Sequence, residues 1–124
     1  MLHLDKPVAY LEDKDFDTEG NLVAEGISKG KPVVVMLQSS WCPHCSSAKP
    51  AFQQFANAVQ GTVFCATIHA DGDRPSEKAL GQRIKQLKPN FRGFPDYLLY
   101  VNGKKVDREI AGRDVPHLRD FSRP

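Results

Sequence analysis

The sequence Trp41-Cys42-Pro43-His44-Cys45 is the feature that most restricts what this chain can fold into. It closely follows the apolar run 33–37, Val-Val-Val-Met-Leu, which is typical of a strand buried on both faces. From Ser46 onward, apolar residues recur at three- and four-residue spacings, which predicts an amphipathic helix ending at Gly61. Two cysteines placed between a buried strand and a helix are positioned for thiol–disulfide chemistry.

Composition and charge exclude several other classes of protein. The 124 residues include 17 basic and 15 acidic side chains, and a net charge of +2 gives no reason to expect binding to nucleic acid or anionic membranes. The longest apolar run has five residues, which is too short to cross a bilayer. Residues 1–7 lack the basic and apolar regions of a signal peptide, so the default expectation is a cytoplasmic protein. We expect one domain over residues 1–124 and a monomer.

The rest of the chain alternates predicted strands with predicted helices and ends in a hairpin. Strands are predicted over 7–11, 62–70, 97–101 and 105–110, and helical segments over 22–27, over 76–87 and from near 114. Asn102-Gly103, between the last two strands, is the strongest short signal for a hairpin. This order predicts an α/β sandwich, with a mixed sheet covered by helices.

The two thiols of the motif are expected to have different roles. Cys42 is the expected nucleophile, because the unpaired N–H groups and positive end of a helix favour a thiolate. Cys45 is the expected resolving thiol, which attacks the mixed disulfide that Cys42 forms with a substrate. A protonated His44 would stabilise the thiolate further, and Pro43 suits the first turn of a helix because it lacks an N–H. Trp41 would shield the pair or support the turn.

The sequence contains two residue patterns that resemble metal sites, and neither site is favoured. The motif cysteines together with Cys65 and His69 have a zinc-like order, but Cys65 and His69 fall on one predicted strand, roughly 13 Å apart at about 3.3 Å per residue. Those two residues could not share one zinc ion. The acidic stretch 13–17 resembles the start of a calcium loop, but Ala24 stands where such a loop needs glutamate. We therefore expect no metal, and we expect Cys65 to be a small core residue.

Several separated features together resemble the thioredoxin family over nearly the whole chain. They are the Cys-Pro-His-Cys motif, Pro50 five residues after it, the segment Phe91-Arg92-Gly93-Phe94-Pro95, the hairpin 97–110 and Gly112. The resemblance implies a thioredoxin-like three-layer sandwich with a mixed sheet of four to five strands. It also implies a thiol–disulfide oxidoreductase that exchanges disulfides with protein substrates and a redox partner, without a cofactor.

The resemblance further implies a surface that binds the substrate. Pro95 corresponds to the family's cis-proline and should face the dithiol, holding the backbone of Phe94 where an extended substrate segment can pair with it. Trp41, Pro43 and Phe94 would then form an apolar contact surface around the cysteines.

The chain departs from the family pattern at three places. Met36 stands where thioredoxins carry a buried acid that helps move the proton of the resolving thiol, and Thr67 replaces the accompanying lysine. Cys45 would then need water or another base. The stretch 71–95 is several residues longer than in a plain thioredoxin, and Asp96 places a carboxylate close to the substrate groove.

The dipeptide between the cysteines bears on the direction of electron flow. Pro-His resembles the oxidising Dsb-type proteins, whereas Gly-His occurs in protein disulfide isomerases and Gly-Pro in reducing thioredoxins. A histidine that stabilises the reduced thiolate makes the disulfide a better oxidant. Such oxidants usually work outside the reducing cytoplasm, and no leader is visible, so the sequence leaves the direction open. Two alternatives also stay open, a non-enzymatic binding module with a Trp41/Phe94 surface and a redox-sensing protein.

Overall fold

Strands and helices alternate along the chain in the computed structural model, which describes residues 3–24 and 30–123. In these residues the elements are β1 (Ala9–Tyr10), a 3-10 turn (Asp13–Asp15), β2 (Val33–Gln38), α1 (Pro43–Ala58), β3 (Phe64–His69), α2 (Pro75–Gln82), α3 (Ile84–Leu87), β4 (Asp96–Val101), β5 (Lys104–Val106) and α4 (Val115–Phe121). Across the same residues, no helix combines the length and the apolar character that a membrane span requires.

The strands form a mixed sheet in the order β1-β3-β2-β4-β5. Strand β2 runs parallel to β3, with Met36 opposite Thr67, and antiparallel to β4, with Leu37 opposite Asp96. Because β2 and β3 are parallel, the connection between them must cross over the sheet, and α1 makes that crossing. The predicted mixed sheet is therefore confirmed.

Alternating residues of the sheet pack into two separate cores. Val34 and Met36 belong to the core shared with α1 and α4, whereas the intervening Val35 belongs to the core shared with α2 and α3. This alternation follows from the strand geometry, in which successive side chains point to opposite faces. Helices thus cover both faces of the sheet, which confirms the predicted three-layer sandwich.

Some predicted element boundaries are wrong. Helix α1 begins at Pro43, inside the motif, and ends at Ala58 rather than at Gly61. Proline has no N–H to leave unpaired and a φ suited to a first helical turn, so the helix can begin directly after Cys42. The strand predicted over 62–70 extends only from Phe64 to His69.

The other differences also concern where elements begin and end. The helix predicted over 76–87 is broken at Arg83, whose guanidinium donates to the Asp13 carboxylate at 2.9 Å. The strands predicted over 7–11 and 105–110 shorten to Ala9–Tyr10 and Lys104–Val106. The helical turn predicted over 22–27 is wrong at Leu22, which forms an isolated antiparallel bridge with Phe16, and residues 25–27 lie outside the described residues.

A buried lysine fastens the segment that leads into β4. Lys88 is 3% exposed, and its Nζ lies 2.6 Å from Asp96 Oδ1 and 2.9 Å from Glu109 Oε2. Asn90 donates to the other oxygen of Glu109 at 2.6 Å. A buried ammonium group needs such partners, because burial without them is costly. Lys88 therefore ties the start of β4 to the segment that follows β5.

We expect Lys88→Met to lower the free energy of unfolding by about 1–3 kcal/mol. The substitution leaves the Asp96 side chain, which is 16% exposed, without its cation. Urea unfolding monitored by circular dichroism measures the change. Lys85→Met, at an exposed position of α3, is the matched control and should change stability by less than about 0.5 kcal/mol. Equal stability of the two variants would contradict a supporting role for Lys88.

Candidate active site

Cys42 occupies the N-cap of α1. Its Sγ accepts a hydrogen bond from the backbone N–H of Cys45 at 3.0 Å. Cys42 is half-buried, and Pro43 follows it as the first helical residue. The free N–H groups and the dipole of a helix N-terminus favour a negative charge, so this position suits a thiolate. Cys42 is thus the more accessible of the two motif thiols.

Cys45 lies one turn into α1 and is 1% exposed. Burial raises the pKa of Cys45 well above its ordinary value, and the hydrogen bond with Cys42 raises it further. A backbone hydrogen bond from Ser39 and the positive charge of Lys49 act in the opposite direction and are smaller. The structure thus pairs an accessible thiol with a buried thiol that stays protonated at neutral pH.

Cys65 is separate from this pair in its environment. It is 3% exposed, packs in the core beneath α1, and burial raises its pKa to about 12. The expectation that Cys65 is a core residue is confirmed. Both Cys65 and His69 lie on β3, and among residues 3–24 and 30–123 no group of three or more His, Cys, Asp or Glu side chains is arranged to hold a metal ion.

The other motif residues face solvent around Cys42. Trp41 is 87% exposed, and Pro43 and His44 are also exposed in the first turn of α1. An indole this exposed adds little to the core, so its apolar surface is available to a partner. The structure therefore gives no support to the idea that Trp41 shields the dithiol.

Phe94 and Pro95 lie just before β4, and the peptide bond between them is cis. Phe94 is half-buried, with its ring edge-on to Phe91 at a centroid distance of 4.9 Å. Because Leu37 near the end of β2 pairs with Asp96, Pro95 lies at the same end of the sheet as the β2–α1 connection. The topology thus brings the predicted docking residues to the edge of the sheet that carries the motif.

Thioredoxins place an acid and a lysine beneath the dithiol. In this chain the uncharged residues Met36 and Thr67 occupy those two positions. Met36 and Thr67 pair across β2 and β3, and both are fully buried. The Thr67 hydroxyl donates to the Met36 carbonyl at 2.8 Å and accepts from Gln38 Nε2 at 2.8 Å. The hydroxyl is thereby satisfied, which removes the penalty for burying a polar group at this position.

Lys49 is a site residue that the sequence reasoning missed. It lies one helical turn after Cys45, is 3% exposed, and its charge favours the Cys45 thiolate. The signal for it was available: Lys49 follows Cys45 by four residues and adjoins Ala48, so it falls on the buried stripe of α1. Cys45 thus has a buried basic side chain one turn away on α1, whereas the paired positions Met36 and Thr67 on β2 and β3 carry no charge.

Comparison with known proteins agrees with this geometry. The model of the Thioredoxin family matches residues 7–123. The chain is 42% identical to thioredoxin-like protein 453L of Invertebrate iridescent virus 6, over 97% of this chain and 91% of that protein. It is 30% identical to protein disulfide-isomerase A5 of Bos taurus over 79% of this chain, which spans only 16% of that longer protein.

A solved structure shows the same fold. The crystal structure of the Trx4 domain of ERdj5 superposes with a TM-score of 0.63 and 16% identity, covering 94% of this chain and 93% of that one. The fold, the family model and the relatives thus point to the same family. The chain therefore belongs to the thioredoxin family and is of the thiol–disulfide oxidoreductase kind.

Proposed function

We propose that this protein exchanges a Cys42–Cys45 dithiol with the disulfides of protein substrates, acting as a monomer alongside a separate redox partner. Cys42 is the nucleophile and Cys45 the resolving thiol. His44 stabilises the Cys42 thiolate, while Trp41, Pro43, Phe94 and Pro95 dock the substrate.

The asymmetry between the two thiols is the observation that carries this proposal. Cys42 is accessible and accepts a backbone N–H at the helix N-terminus, whereas Cys45 is 1% exposed and one turn away. The 3.0 Å contact from Cys45 N to Cys42 Sγ also keeps the two residues close enough for a disulfide to form between them. An exposed attacking thiol beside a buried resolving thiol is the arrangement that a two-step exchange requires.

The exchange balances as a two-electron transfer. The Cys42 thiolate attacks a substrate disulfide, forming a Cys42–substrate disulfide and releasing one substrate thiolate. Cys45 then loses its proton to solvent and attacks Cys42 Sγ, which forms the Cys42–Cys45 disulfide and releases the second substrate thiolate. The substrate is reduced and the protein is oxidised, and the same steps in reverse oxidise a substrate dithiol.

A second candidate function is a binding module whose exposed apolar surface holds a protein partner. The 87% exposure of Trp41 favours it, because a large aromatic side chain left in solvent is typical of interaction surfaces. In that case, partner binding would be the same for the oxidised and reduced protein and would survive Cys42→Ser. For an oxidoreductase, substrate capture depends on the Cys42 thiol.

We expect Cys42→Ser to abolish disulfide exchange, because the attacking thiolate is lost. Cys45→Ser should instead accumulate a mixed disulfide with its substrate, because the resolving attack is lost. Reduction of insulin disulfides measures turnover, and non-reducing electrophoresis with mass spectrometry detects the trapped species. Cys65→Ala is the matched control for loss of a thiol, and it should retain turnover. Full activity of the Cys42→Ser protein would contradict the proposed function.

The raised pKa of Cys45 predicts how its reactivity depends on pH. In Cys42→Ser protein, burial still keeps Cys45 protonated, so its thiolate fraction should rise about tenfold per pH unit from about pH 6 to about pH 10. Alkylation by iodoacetamide, with the Cys45 peptide quantified by mass spectrometry, measures this. A rate that levels off by about pH 9.5, as it would for a thiol with the ordinary pKa of about 8.5, would show that the Cys45 pKa is not raised.

The reduction potential tests the role of His44. A positive imidazole near a thiolate stabilises the reduced form, so His44→Ala should lower the reduction potential of the disulfide. Because His44 is exposed and its charge is screened, we expect a shift of about 30 mV or less. Equilibration with graded glutathione buffers measures the potential, and His117→Ala on α4 is the matched control. A potential that stays unchanged or rises in His44→Ala would contradict this role.

A further inference from the structure

The loop that precedes Cys42 is held in place from outside the motif. Ser40 lies two residues before Cys42, and its backbone N–H donates to Asp71 Oδ1 at 2.8 Å. Its hydroxyl lies 2.9 Å from His69 Nε2. Since Ser40 is exposed, core packing does not hold it. Its position therefore depends on these two contacts from the end of β3 and the loop that follows.

The imidazole of His69 is itself fixed on both sides. Its Nε2 lies 3.3 Å from Asp71 Oδ1, and its Nδ1 lies 3.5 Å from Glu77 Oε2. The His69 side chain is only 18% exposed. Contacts at both ring nitrogens determine how the ring is oriented, in the way that outer partners orient a ligating histidine.

Glu77 is also secured by its neighbours. Its Oε1 accepts from the Arg74 backbone N–H at 3.3 Å and lies 3.4 Å from Arg74 Nε. Burial raises the pKa of Glu77, but the hydrogen bonds and charge of Arg74 outweigh it, and the net shift is downward. The Glu77 carboxylate also packs directly against the backbone of Gly72. The side chains of His69, Asp71 and Glu77 thus form a connected group, here called the β3–α2 clamp.

The position of Ser40 determines where the nucleophile lies. The hydroxyl of the neighbouring Ser39 accepts from the Trp41 backbone N–H at 3.2 Å, and the Ser39 carbonyl accepts from the Cys42 N–H at 3.4 Å. The four residues therefore form one tight turn. Movement of Ser40 would therefore shift Cys42 Sγ relative to the backbone N–H of Cys45, from which it accepts a hydrogen bond. Small displacements of a reacting group can lower rates by large factors.

We propose that His69 is a positioning residue which, through Ser40, sets the reactivity of Cys42. This inference rests on the proposed role of Cys42 as the nucleophile. It assigns a function to the last residue of β3 and to the start of the longer segment 71–95.

The test is the rate at which iodoacetamide alkylates Cys42 in the reduced full-length protein, read by mass spectrometry of the Cys42 peptide. The side-chain amide of glutamine can reach the position of Nε2, whereas that of asparagine reaches only the position of Nδ1. We therefore expect His69→Asn to slow the reaction about tenfold and His69→Gln to stay within about twofold of the wild-type rate. His117→Asn, at a histidine on α4 that also faces a carboxylate, should not change the rate.

Ser40→Ala provides a second route to the same result if His69→Asn fails to fold. It removes the hydroxyl from an exposed residue without opening a cavity, and it should slow alkylation of Cys42 by a similar factor. Urea unfolding of each variant separates a lower rate from a loss of folded protein.

The proposal would be overturned if Cys42 were alkylated at the wild-type rate both in folded His69→Asn protein and in Ser40→Ala protein. Equal slowing by His69→Gln and His69→Asn would also overturn it, because the contact with Ser40 would then not matter. Alkylation needs no substrate, so the proposed function and this inference can fail separately. A wild-type protein that neither reduces insulin disulfides nor oxidises a substrate dithiol would contradict only the proposed function.

Discussion

Strand β2 lies at the centre of the sheet, and all six of its residues from Val33 to Gln38 are buried. A strand enclosed on both faces must supply apolar side chains to two cores, and it pairs with β3 on one edge and β4 on the other. At the end of β2 the chain leaves the sheet and enters α1 after the short connection 39–42. The position of this central strand thereby fixes the place at which Cys42 begins the helix.

The chemistry at that place comes from differences in solvation over one helical turn. Cys42 lies at the N-terminus of α1 and is accessible to solvent, whereas Cys45 is buried in the core. Burial raises the pKa of Cys45, whereas Cys42 accepts a helix N–H and stays accessible, although the two side chains are chemically identical.

Buried charges around the site are each matched by a partner or by nearby polar groups. Lys88 is neutralised by Asp96 and Glu109 beneath the segment that precedes β4, and Glu77 is held by Arg74 next to His69. Such groups are costly to bury, so each restricts the local backbone to conformations that keep its partner in reach. The two segments that flank the cysteines are thus held by electrostatic contacts as well as by apolar packing.

The sequence by itself determined the sandwich, the strand–motif–helix unit and the roles expected of Cys42 and Cys45, because these follow from short-range periodicity and spacing. Helix ends were less predictable, as the break at Arg83 shows, because local periodicity does not mark where one helix stops and the next begins. Only the tertiary structure revealed the ion pair that engages Asp96 and the contacts that the β3–α2 clamp makes with Ser40. Those contacts join residues up to 31 positions apart, and a local pattern carries no information on which distant side chains the fold brings within hydrogen-bond distance.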